Sequence, residues 1–151
     1  MNMQSKSGVF LAVAVLFTVM LAGRAMTLGF LAQVGSPVAG SPPMAWLMPL
    51  VGDAVVGLSA PVAAVLLLRG RGLGAWSIIL LWNAIGIWDA MSAFLVHLSV
   101  PWPDFFMVQI FGASMFFAAS AMHLVVIALV AGPLRDRWLP AYRSTRTLES
   151  L

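Results

Sequence analysis

The chain has 151 residues, 62% hydrophobic and 9% charged, with a formal net charge of +3. Soluble domains carry roughly 25% charged residues, so this balance, with a mean hydropathy of +1.00, indicates one domain built for lipid. Cysteine is absent, which excludes disulfides, thiolate metal sites and cysteine nucleophiles. The few basic residues form no stripe, so no nucleic-acid partner is expected.

Four apolar runs follow in chain order. The first covers about 9–32 and is broken by Arg24 and Thr27. The second covers about 45–68, the third about 75–99 and the fourth about 105–131. At ~1.5 Å per residue, each is long enough to cross ~30 Å of hydrocarbon. Lipid admits only helices or closed barrels, and these runs lack the alternation of barrel strands. The connectors are turn-rich: Gly35-Ser36-Pro37 to Pro42-Pro43, then Arg69-Gly70-Arg71-Gly72, then Pro101-Trp102-Pro103-Asp104. A polar, basic tail occupies 133–151. Lys6 before a mostly apolar stretch resembles a signal peptide. Arg24 directly after Ala22-Gly23, with apolar sequence resuming beyond it, points instead to an uncleaved first helix.

Basic residues assign the sides. Lys6, Arg69, Arg71, Arg135, Arg137, Arg143 and Arg146 fall at one set of ends, while segments 33–44 and 100–104 hold no Lys or Arg. The positive-inside rule places both termini in the cytoplasm. The expected fold is all-α: a four-helix transmembrane bundle with both termini cytoplasmic. Trp46, Trp76, Trp102 and Trp138 lie near helix ends, where indoles favour the membrane interface.

Three ionisable residues interrupt the apolar runs: Arg24, Asp53 and Asp89. A charge at the bilayer centre costs at least ~2.5–3.5 kcal/mol, so each needs a partner or a purpose. Counting along the helices puts all three at a common level, roughly 20–22 Å above the cytoplasmic side. Trp82, Gly86, Ser92, Ala93 and Val96 share the face of Asp89; Pro49, Gly57 and Ala60 share that of Asp53. Small residues allow close helix approach, so both aspartates are expected to face the bundle interior. An arginine beside two carboxyls holds at least one of them ionised.

Asn83 and His123 form an expected second polar layer, ~12–13 Å above the cytoplasmic side. They read as a helix-to-helix hydrogen bond or as a proton step inward from the carboxylates. His97 falls near the outer end of the third helix, about 20 Å from the His123 level, so the two histidines cannot ligate one haem within a chain. It reads as an interfacial polar residue. Two separated histidines and two aspartates make a poor zinc site, and no metal or cofactor is expected. Ser92, Ser114 and Ser120 read as interhelical or back-bonded serines rather than nucleophiles. Met20, Met26, Met44, Met48, Met91, Met107, Met115 and Met122 are scattered, as gap-filling and lipid-facing bulk would be.

Arg24, a proline-bearing loop, Gly52-Asp53 with Gly57 and Ala60-Pro61, then Trp82-Asn83, Gly86 and Asp89 form a recognisable pattern. It resembles a family of small four-helix bacterial integral membrane proteins over about residues 24–103. The resemblance implies a multi-pass protein of the bacterial inner membrane and supplies no activity.

Three roles remain open. The first is a non-enzymatic accessory or structural bundle, within a larger membrane complex or a homo-oligomer. The second is an oligomeric proton or small-solute transporter. The third is a lipid- or cofactor-binding bundle with a pocket at Trp82, Trp88, Gly86 and Ser92.

Overall fold

A computed structural model describes residues 3–139. Arg143 and Arg146 of the basic tail lie outside the described residues.

The first span is α1 (Met3–Leu21), a 3-10 segment (Ala22–Thr27) and α2 (Leu28–Leu31). After an outer loop, a short 3-10 turn (Met44–Trp46) leads into α3 (Leu47–Arg69), and α4 (Gly72–Ser99) follows the tight basic turn. The last span is α5 (Phe106–Phe111) and α6 (Ser114–Ala131), and α7 (Arg135–Trp138) ends the described chain. Four helical stretches are long and apolar enough to cross a bilayer: Lys6–Leu31, Met44–Arg69, Gly72–Ser99 and Ser114–Ala131. The protein is a membrane-embedded four-helix bundle.

Two runs that read as single helices are interrupted. The fourth, expected unbroken over 105–131, turns at Gly112. This glycine has φ +56°, a left-handed conformation that a side chain disfavours. Span four therefore crosses as the 18 residues of α6, with α5 redirected above it. The first run changes from α to 3-10 pitch at Ala22. Six residues at three per turn rotate the helix face by about 120° relative to continued α-helix. Arg24 lies in this segment.

Packing runs in chain order around a ring. The first span touches α3 and α6, α3 touches α4, and α4 touches α6, an up-down-up-down arrangement with short connections. The 3-10 segment stays with α3 and makes no backbone approach to α6, so the first and fourth spans part above Leu21.

Two apolar clusters fill the ends of the bundle. Ala14, Leu67, Ile79, Val126, Val130 and Trp138 close the end that carries the basic turn. Trp46, Leu50, Ala93, Trp102, Phe105 and Phe116 close the other. The terminal indoles, expected at the lipid interface, turn inward. Trp46, Trp102 and Trp138 are buried. Trp46 Nε1 donates to the Val100 carbonyl at 2.8 Å and Trp102 Nε1 to the Gly40 carbonyl at 2.9 Å. Trp46 and Trp102 thus each satisfy a backbone acceptor while their rings pack, the usual requirement for burying tryptophan, whereas Trp138 Nε1 is buried without a partner among the described residues. His97 joins this outer group, half-buried, with its ring 5.5 Å from that of Phe116.

Candidate functional site

Arg24 meets both aspartates. Its Nε donates to Asp53 Oδ1 at 2.5 Å, and its Nη2 bridges Asp53 Oδ1 and Asp89 Oδ2. The side chains are 12%, 19% and 4% exposed for Arg24, Asp53 and Asp89. Three spans are therefore tied through one guanidinium. Arginine suits this role because its planar fork is always charged and serves two carboxylates at once.

Nη1 points the other way. It lies 3.3 Å from His123 Nε2 and donates to the Gly86 carbonyl at 3.4 Å. His123 Nδ1 is 2.9 Å from Asn83 Oδ1, and Asn83 Nδ2 donates to the Ile79 carbonyl at 2.8 Å. Read from that carbonyl, the directions are forced. The Asn83 amide donates with its nitrogen, so its oxygen accepts from His123 Nδ1–H, leaving Nε2 to accept from arginine. The two polar layers read from the sequence are one continuous network, because Nη1 reaches across the level difference between them. Thr27 fixes the arginine backbone, donating to the Arg24 carbonyl at 2.8 Å and facing the Leu50 carbonyl at 3.3 Å.

Glycines make this convergence possible. A Cβ at Gly52 would fall on the Asp89 carboxylate, one at Gly86 on the His123 ring, and one at Gly57 on the backbone of Ala25. The small residues on the aspartate faces are thus points of contact between spans, as close packing in membranes requires.

Asn83→Leu tests the lower arm of the network. Its expected cost is roughly 0.6–2 kcal/mol, the range for an interhelical hydrogen bond in a membrane. Unfolding in mixed micelles measures it, and a loss above about 3 kcal/mol would make Asn83 part of the ionic core itself.

Trp82, Trp88, Gly86 and Ser92, expected to share a pocket, do not converge on one point. Trp88 points out of the bundle, 70% exposed. Ser92 Oγ donates to the Trp88 carbonyl of its own helix at 2.8 Å. Trp82 packs on the His123 ring at 5.3 Å and donates to Ser59 Oγ at 2.8 Å. These directions diverge because, at about 100° per residue, Trp88 lies on a different face of the helix from Trp82 and Gly86.

The cavity lies on the other side of the cluster, between the first and fourth spans, with a volume of about 410 Å³. Arg24 and Asp53 line it with Ala90 and Ala93. Met20, Met26, Met107, Met115 and Met122, scattered in the sequence, form much of its wall. Its origin is structural: the 3-10 segment stays on α3 while Gly112 redirects the chain above α6. A glycine inside the fourth apolar run was the one sequence signal for it.

Compared with protein-family models, curated proteins and solved structures, the chain matches none.

Proposed function

We propose that this is a non-enzymatic protein of the bacterial inner membrane, with both termini cytoplasmic. In this reading it serves as an accessory or structural bundle, in a larger complex or as a homo-oligomer. The observation that carries the proposal is the inward use of Arg24. All three guanidinium nitrogens are engaged by Asp53, Asp89, Gly86 and His123, so the charges fasten the spans to one another. The orientation is supported by a basic end that carries Arg69, Arg71, Arg135 and Arg137, opposite loops without Lys or Arg. Arg137 also donates to the Leu68 carbonyl across that end. The pattern Arg24, Gly52-Asp53, Trp82-Asn83, Gly86 and Asp89 supports kinship with small four-helix bacterial membrane proteins.

The network from Asp53 to Asn83 favours a second reading, proton transfer. Against it, the polar chain ends on the Ile79 carbonyl, and Leu67, Ile79, Val126 and Val130 close the bundle below with no exposure above 1%. An oligomer would have to supply the missing aqueous path. Proteoliposomes carrying a pH dye under an imposed potential distinguish the readings. The expected result is proton flux no greater than in protein-free vesicles. Flux that Asp53→Asn abolishes would replace the structural reading with transport.

A further inference from the structure

We propose that the cavity between the first and fourth spans binds a lipid-phase amine, an apolar ligand whose ammonium head meets Asp53. This goes beyond the fastening role of the cluster and stands on access, charge and shape.

Access to the charged layer is lateral. The aromatic cluster closes the bundle on one side of it and the aliphatic cluster on the other. The cavity reaches Arg24 and Asp53, and its rim residues Met20, Met26 and Phe111 are exposed on the face of the bundle that contacts lipid. A ligand would therefore arrive from the acyl chains.

Charge selects the head. The cluster holds one guanidinium against two carboxyl groups, and His123 is held as the tautomer that accepts from arginine. A carbonyl or carboxylate head would find the Arg24 nitrogens already engaged, and an anion would meet two carboxyl groups. Both Arg24 contacts to Asp53 arrive at Oδ1, and the side chain is the most exposed of the three. Asp53 lines the cavity, and its Oδ2 takes no hydrogen bond from Arg24. An ammonium there forms a charge-assisted hydrogen bond in a site of low dielectric, where such bonds are strongest.

Shape selects the body. The volume of about 410 Å³ falls within the range of small-ligand sites, roughly 300–1,000 Å³. Alanines form the floor, and flexible methionines adapt to irregular apolar shapes. Phe105 and Phe116 add aromatic surface to the apolar wall.

The test uses the full chain in phosphatidylcholine nanodiscs, with radiolabelled dodecylamine and dodecanoate as probes. Dodecylamine is expected to bind saturably, one per protomer, while dodecanoate shows no saturable binding. Asp53→Asn should weaken amine binding at least tenfold. Because that variant also touches the fastening cluster, Ala119→Trp provides the independent arm. Ala119 lines the cavity outside the charged network, so the indole should block binding and leave the melting temperature unchanged. Equal binding of both probes, unsaturable uptake of the amine, or full binding by a folded Ala119→Trp protein would overturn the proposal. So would a disulfide-linked dimer formed when Met20→Cys and Ala118→Cys variants are mixed and oxidised with iodine, since a second protomer would then fill the cavity. Loss of stability in Asp53→Asn, from a parent that binds no amine, would remove the ligand while leaving the structural role intact.

Discussion

Arg24→Ala is expected to destabilise the bundle by about 3–5 kcal/mol, the usual cost of leaving buried partners of an ion pair uncompensated. Asp53 and Asp89 would face each other in an apolar interior, and Gly86 O and His123 Nε2 would lose their donor. The triple variant Arg24→Leu, Asp53→Asn, Asp89→Asn removes all three charges and should recover most of that loss, since buried ion pairs contribute little net stability over neutral packing. Reversible unfolding in mixed micelles measures both. A single variant within about 1 kcal/mol of the parent would mean that the guanidinium fastens nothing. A triple variant as unstable as the single one would mean that the ionic geometry, rather than charge balance, holds the spans.

Gly57→Ala is expected to be the most damaging change of a single methyl. The added Cβ would overlap the Ala25 nitrogen and lie 2.7 Å from both Ala25 Cα and the Arg24 carbonyl carbon. Backbone cannot rotate away, so α3 and the 3-10 segment must separate, drawing Arg24 off Asp53. Overpacking typically costs about 1–3 kcal/mol, and the upper end or beyond is expected because the displacement also strains the charge cluster. Gly86→Ala meets a side chain instead, with its Cβ against the His123 ring. In a His123→Ala background the cost of Gly86→Ala should shrink, whereas no single truncation should relieve Gly57→Ala. A double-mutant cycle measures the difference. Additive Gly86 and His123 effects would show that the ring is not what the glycine accommodates.

Much of the bundle was legible because lipid leaves few choices. Run length and the cost of an unpaired backbone in hydrocarbon make the second and third spans nearly unambiguous, and they appear as α3 and α4. The association of Arg24, Asp53 and Asp89 followed from the same economy, since each charge needed a partner. The cavity beside Asp53 is not legible along any one helix, because cavities form where helices part. The link from Arg24 to His123 is not legible in the sequence, because counting along helix axes ignores the reach of an arginine side chain.

The amino-acid sequence by itself determined four apolar crossings, a basic end and a non-basic end, and three charges that had to meet inside. Periodicity and transfer cost act along the chain, so they can be read along it. Only the tertiary structure decided that Arg24 bridges to His123, that glycines at 52, 57 and 86 receive neighbouring spans, and that the first and fourth spans part beside Asp53. Those outcomes depend on the 3-10 segment and the turn at Gly112, whose rotations determine which side chains meet across the bundle.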